Sequence, residues 1–180
     1  MFLIKTKSDL DSLNGEKDVA IFPSEPLGSG VLSTLVERSP ELQVLQWIKP
    51  QATEESFQHF VERAVELRAL NVSDGLGISS AVLCSLFARA KCLRFLDLSF
   101  CSIDDSAFAS IETPLVFLNL QGCSKITDAT LYQLAKIPTL RHLLLAFNNQ
   151  ITPQGLRALV ALKLKTLKIH GCRKIESMVA

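Results

Sequence analysis

An internal repeat of 22 to 26 residues is the feature that most restricts how this chain can fold. Apolar side chains recur at positions 1, 4 and 6 of every copy, as in LVFLNL from 115 to 120. The six copies begin at Leu42, Leu67, Leu93, Leu115, Leu140 and Leu164. Such a period is typical of arrays in which every copy forms the same unit and buries its apolar side against its neighbours.

Each copy predicts a strand followed by a helix. Repeat positions 4 and 6 are two residues apart, as in a half-buried strand, whereas the second half of a copy spaces its apolar residues by three, as in Leu131 and Leu134. Thr127 and Thr152 stand where a helix N-cap is expected, and prolines 40, 114 and 138 precede the next strand. Because each helix returns the chain to the same edge, neighbouring strands are expected to be parallel.

The pattern LxxLxLxxC followed by Ile-Thr-Asp, as in residues 115–128, resembles the leucine-rich repeat, and specifically its cysteine-containing, ribonuclease-inhibitor-like subclass. The resemblance covers about three quarters of the chain. It implies an α/β fold: a right-handed, curved solenoid, with the parallel sheet on the concave face and helices on the convex face. About six to seven repeats are expected, because a degenerate copy with Val19 and Ile21 in apolar positions begins near Glu16.

We predict that residues 1–180 form a single domain of this kind. Residues 1–41 form an N-terminal cap and the degenerate repeat, residues 42–163 the regular repeats, and residues 164–180 a partial C-terminal repeat without its helix. The partial repeat is expected either as a minimal cap or as the end of a chain shortened relative to its relatives. The array is then expected to be the whole protein.

Composition and charge narrow the choice of partner and compartment. Nineteen Lys and Arg residues face eighteen Asp and Glu residues, and this near-neutral balance gives no reason to expect nucleic acid or an anionic membrane as the main partner. No apolar run approaches the ~20 residues of a membrane-spanning helix, and Phe2 to Ile4 is too short for a signal-peptide core. Five cysteines without a C-x-x-C pair favour a reducing compartment. We therefore predict a monomeric, cytoplasmic protein, or one delivered into a host cytosol if it is a bacterial effector.

The cysteines at repeat position 9 are predicted to be structural. Cys101, Cys123 and Cys172 share this position with Asn148, which indicates a place where a small side chain turns inward as the strand ends. An asparagine there can bond to the backbone of the neighbouring turn, and a thiol does so more weakly. Zinc needs four converging ligands, and a nucleophilic thiol needs exposure and a base. We expect no metal and no cofactor.

The sequence gives little support for catalysis. The chain contains no glycine-rich phosphate loop, no H-E-x-x-H and no G-x-S-x-G. Asp104 and Asp105 are placed to begin a helix, where acidic residues favour the positive end of the dipole. His142 near Asp97 is the only candidate pair of titratable groups on the predicted concave face, so we predict a protein that is not an enzyme.

Repeat positions 3, 5 and 7 are expected on the face opposite the leucine core, and they supply a candidate binding surface. Phe95 and Phe117 fall side by side there, where no packing role requires aromatic rings, and polar residues surround them. The predicted partner-binding residues are Phe95, Asp97, Phe117, Asn119, Gln121, His142, Leu144 and Lys168.

The leading hypothesis is a non-enzymatic protein–protein interaction module that binds a protein partner on its concave face, as an effector, adaptor or inhibitor. A structural subunit that docks through its open C-terminal edge is an alternative. That edge is locally basic, which could protect the open sheet from pairing or steer an acidic protein partner; its basic residues are Lys163, Lys165, Lys168, Arg173 and Lys174. The resemblance also extends to the substrate-recognition arrays of F-box proteins, which leaves part of a ubiquitin ligase as a third possibility.

Overall fold

The computed structural model describes residues 1–24, 27 and 30–176. Within them the chain forms one eight-stranded parallel sheet in sequence order. The strands are β1 Phe2–Ile4, β2 Asp18–Ile21, β3 Val44–Trp47, β4 Ala69–Asn71, β5 Phe95–Asp97, β6 Phe117–Asn119, β7 His142–Leu144 and β8 Thr166–Lys168. The α-helices are α1 Lys7–Asp11, α2 Val31–Arg38, α3 Glu54–Arg63, α4 Ser80–Arg89, α5 Asp128–Leu134, α6 Pro153–Ala158 and α7 Arg173–Glu176.

The register of the sheet follows the repeat. Phe95 pairs with Phe117 and Phe117 pairs with His142, so residues at the same repeat position form rows across the strands. Leu96, Leu118 and Leu143 form the row at position 4, and all three are fully buried against the helices. This arrangement confirms the predicted α/β repeat fold with a parallel sheet. We call the sheet face that bears positions 3 and 5, opposite the helices, the open face.

Two elements differ from the sequence-based expectation at the N-terminal end. The degenerate copy is β2, with Val19 and Ile21 buried as predicted, but β1 was not predicted and brings the number of strands to eight. A three-residue strand in which only Ile4 is buried has no periodicity to detect. It is followed by α1, which a capping box between Thr6 and Asp9 initiates.

The helical layer also departs from a uniform repeat. The copy at 93 is the shortest of those followed by another copy. Where a helix was expected, it forms a 3₁₀ helix, Asp105–Phe108, which ends before the apolar residue Ile111. A second 3₁₀ turn, Leu159–Ala161, extends α6. The C-terminal copy was expected to lack a helix, yet α7 forms there; residues 177–180 of that copy lie outside the described residues.

Acidic side chains connect consecutive helices. Asp104 caps its own 3₁₀ helix, whereas Asp105 extends to the next copy and accepts hydrogen bonds from the Thr127 hydroxyl (2.7 Å) and the Thr130 hydroxyl (2.6 Å). Burial raises the pKa of Asp105, but these bonds outweigh it and leave the pKa below its usual value. Asp128 accepts from Thr152 in the same way. The predicted dipole role explains Asp104, but Asp105 mainly fixes the spacing of two repeats.

Candidate partner-binding site

An aromatic row crosses the open face at repeat position 3. The Phe95 and Phe117 rings lie 6.4 Å apart between centroids with an interplanar angle of 29°, and Phe117 lies 6.4 Å from the His142 ring. Phe95 is 51% exposed, while Phe117 and His142 are half-buried. Strand pairing brings these three predicted site residues together because they occupy one repeat position on adjacent strands.

A hollow lies beside this row, on the side of the earlier repeats. In register, Ala69 stands between Val44 and Phe95, and its small side chain leaves a groove of about 380 Å³. Phe95 and Phe117 add aromatic lining, Gln46, Asn71 and Asp97 add polar lining, and the strands at Leu45, Leu70 and Leu96 lie beneath the groove. The predicted site did not include Gln46, Ala69 and Asn71. The groove exists because the side chain at position 3 is smaller in one copy than in the copies on either side. This difference becomes visible only when the strands are aligned in register.

The polar residues at position 5 mainly bond to their own strand ends. One carboxylate oxygen of Asp97 accepts the Ser99 backbone N–H (2.9 Å) and the Ser99 hydroxyl, and the other accepts the Asn119 side-chain amide (2.9 Å). Asn119 Oδ1 in turn accepts the Gln121 backbone N–H (3.0 Å). These bonds form Asx turns that end β5 and β6. Asp97 and Asn119, which were predicted to bind a partner, therefore use much of their hydrogen-bonding capacity inside the array.

The remaining predicted site residues are distributed along the later strands. Leu144 is half-buried and Lys168 is exposed at position 5 of β7 and β8. His142 Nδ1 lies 3.0 Å from the Thr166 hydroxyl. Asp97 lies two strands away from His142 and bonds to Ser99 and Asn119, so this candidate acid–base pair is not assembled.

Repeat position 7 was expected to line the open face but does so only in part. Phe22 and Ile48 are exposed there, whereas Ser99 and Ala146 are buried. The chain turns immediately after this position, because the next residue of every copy from Leu42 onward has a positive φ, from 54° at Lys49 to 72° at Gly171. The turn directs the strand end back toward the helices and buries the smaller side chains.

The inward ladder at position 9 has the hydrogen bonds expected of it. The thiols of Cys101, Cys123 and Cys172 donate to the position 6 carbonyls of the preceding copies, at 3.4, 3.2 and 3.1 Å. Asn148 donates to the equivalent Leu120 carbonyl at 2.8 Å. All four side chains are buried, so each links one turn of the array to the turn before it.

Comparison with known proteins agrees with this geometry. A family model described as "Leucine Rich repeat" matches residues 89–107 and 136–160, two stretches that contain β5 and β7. In these two stretches, which cover about a quarter of its length, the chain is similar to leucine-rich repeats. The leucine-rich repeat family generally provides non-enzymatic scaffolds for protein interaction.

One solved structure that this chain matches is titled "Crystal structure of Rad7 and Elc1 complex in yeast". The two sequences are 13% identical over 93% of this chain and 67% of the other, with a TM-score of 0.42. No curated protein matches this chain in sequence.

The described residues bear on two further classes of site, metal sites and membrane-spanning helices. Within residues 1–24, 27 and 30–176, no three His, Cys, Asp or Glu side chains group closely enough to hold a metal ion. Across the same residues, none of the helices is long and apolar enough to cross a membrane.

The ladder cysteines are expected to resist thiol reagents in the native protein. The thiolate is the reactive form, and burial raises the pKa of Cys101 and raises that of Cys123 to about 12. Cys84 and Cys92 are exposed and serve as internal controls. Titration with a chromogenic disulfide near pH 8 should modify those two thiols quickly and the other three only after denaturant is added. Fast native modification of all five would contradict a buried ladder.

Proposed function

We propose that this leucine-rich repeat protein binds a protein partner on its open face, with Phe95 and Phe117 as the anchors. The observation that carries the proposal is the stacked ring pair on the side of the sheet opposite the leucine core, next to an apolar groove. Neither ring is needed to fill the core, because Leu96 and Leu118 already do so from the other face. Aromatic residues in such places are the side chains that contribute most to protein interfaces.

The geometry favours apolar anchoring over recognition by the polar rim. Asp97 and Asn119 have inward-directed bonds, so a partner gains fewer hydrogen bonds from them than their residue types suggest. The rings and the hollow beside Ala69 offer a place for one or two apolar side chains of the partner. Burial of each such side chain contributes roughly 1.5–3 kcal/mol.

The proposed role is that of an adaptor, inhibitor or effector without a reaction of its own, acting as a monomer in the cytoplasm. The candidate acid–base pair on the open face is not assembled. All five cysteines are free thiols, and free thiols persist in reducing compartments.

The double variant Phe95→Ala with Phe117→Ala tests this proposal. Loss of two aromatic anchors at about 2 kcal/mol each should weaken partner binding by about two orders of magnitude or more. Affinity capture with wild type and variant would identify the proteins that depend on the rings, and calorimetry with the purified partner would give the dissociation constants. Thermal melting should be nearly unchanged, because the rings lie outside the core.

Tyr132→Ala is the matched control. Tyr132 is an exposed aromatic residue on α5, in the helical layer, so its removal should leave binding within about twofold of wild type. Normal binding by the double phenylalanine variant would refute the open-face site. Early melting of that variant would show instead that the two rings support the fold.

A further inference from the structure

The near-neutral charge of the chain conceals a reversal of sign along the array. Residues 129–175 contain eight Lys and Arg residues and no Asp or Glu. Residues 1–128 contain eleven basic and seventeen acidic residues, so their net charge is 11 − 17 = −6. Because each copy adds one strand to the sheet, position in the sequence is position along the array. The sign therefore changes between β6 and β7.

Part of this positive charge lies on the open face or directly beside it. Lys168 is exposed at position 5 of β8, in register with Leu144, and Lys165 is exposed just before the same strand. His170 is exposed at position 7, and the Phe147 ring lies edge-on to it at 5.1 Å. We call Lys165, Lys168 and His170 the basic strip. The ion pairs found among the described residues, Lys17–Glu41 and Lys49–Asp74, both lie at the other end of the array.

We infer that the partner presents an acidic polypeptide segment to the basic strip while its apolar anchor occupies the groove beside Phe95. This inference rests on the proposed function and adds the chemistry and the orientation of the partner. Lysines whose charge is not neutralised within the array attract carboxylates, and charge complementarity of this kind fixes the register of a complex and accelerates its formation.

A protein segment fits the strip better than a nucleic acid does. The row at position 5 runs from Lys168 through Leu144 and Asn119 to Asp97, so the charge on the face reverses within four strands. Adjacent strands are about 4.8 Å apart, which limits the width of the positive surface, measured across the strands, to about 10 Å. A duplex carries one negative charge per about 1.7 Å and would extend over the carboxylates of the earlier repeats. An acidic loop of a protein is short enough to contact the basic strip without extending over those carboxylates.

Phe147, an aromatic residue beside the basic strip, indicates a further property of the partner's acidic segment. Phe147 is 47% exposed and is held at a φ of 63° with its ring against Gly171, where an added Cβ would lie 2.3 Å from the ring. A bulky residue rarely adopts this conformation. The exposed ring next to His170 favours an acidic segment that also carries one apolar side chain.

The test uses short synthetic probes on the intact chain. A glutamate-rich peptide with one phenylalanine, the same peptide with lysine in place of glutamate, and a single-stranded oligothymidine are titrated while backbone amide signals are recorded. The acidic peptide should shift signals of β7 and β8 selectively, and its binding should weaken by about tenfold or more between about 20 and 150 mM salt, because exposed charges are screened over about 8 Å at the higher value.

Charge-reversal variants locate the contact. Lys165→Glu with Lys168→Glu should weaken acidic-peptide binding by about tenfold or more. Lys136→Glu with Arg157→Glu changes the net charge equally, but Arg157 lies on α6 and Lys136 lies just after α5, away from β8, so binding should be retained. The Phe95→Ala, Phe117→Ala variant should also keep binding at the strip, so failure of the proposed anchors and failure of the strip give different patterns.

Several outcomes would overturn the inference. Tighter binding of oligothymidine than of the acidic peptide would indicate a nucleic acid partner. Equal binding of the acidic and basic peptides would show that the strip does not select for charge. An equal loss in the two charge-reversal variants would assign the effect to net charge alone.

Discussion

Gly77→Ala is expected to lower the free energy of unfolding by about 2–5 kcal/mol. Gly77 has a φ of +80°, which disfavours any residue with a Cβ by about 1–2 kcal/mol. An added Cβ would also lie 2.2 Å from the Ala52 carbonyl oxygen and 2.9 Å from the Thr53 carbonyl carbon. These are backbone atoms at the start of α3, where Thr53 is the N-cap, so they cannot move without disturbing that helix. Overpacking of this kind adds roughly 1–3 kcal/mol.

Gly15→Ala separates the cost of the positive φ from the cost of the close backbone contact. Gly15 has nearly the same conformation, with a φ of +84°, but a Cβ there would have no neighbour within 4 Å. Its replacement should therefore show only the conformational cost, about 1–2 kcal/mol. Urea denaturation of both variants, followed by circular dichroism, measures the difference. Equal losses would mean that the contact between the copies at 42 and 67 is loose enough to absorb a methyl group.

Features that depend on repetition were predictable from the sequence. The pairing of Phe95, Phe117 and His142 followed from equal repeat positions, because parallel strands of one array must align their leucines. The inward ladder followed for the same reason, since a position shared by cysteine and asparagine has to be small and able to donate a hydrogen bond. In both cases the same repeat position has the same surroundings in several copies, so the residues found there together indicate what the position requires.

Features that depend on a single copy were not predictable. The groove arises because Ala69 has larger neighbours at the same repeat position, and the roles of Asp97 and Asn119 arise from bonds to residues two positions ahead. β1 contains too few buried residues to show a period. The half-exposed Phe100, at a φ of 61° with its ring against Gly122, was also missed, because sequence patterns do not mark a strained aromatic residue.

Asn148→Ala is expected to lower the free energy of unfolding by about 1–3 kcal/mol. The Asn148 amide donates to the Leu120 carbonyl at 2.8 Å in a fully buried position, and alanine would leave that carbonyl without its donor. Cys123→Ala removes only a weak thiol donor to Leu98 and should be less costly. The same denaturation measurement compares the variants, and equal midpoints for wild type and Asn148→Ala would show that the ladder bond contributes nothing.

Asn148→Cys distinguishes the hydrogen bond from the general loss of a side chain. The thiols in the neighbouring copies donate to equivalent carbonyls at 3.1 to 3.4 Å, so a cysteine at 148 should restore most of the stability lost in Asn148→Ala. Asn148 Oδ1 is buried and has no hydrogen-bond partner among the described residues, a desolvation cost that cysteine would remove. If Asn148→Cys is as unstable as Asn148→Ala, the amide is required for its shape or for its stronger bond, and the thiols of the ladder are space-filling groups.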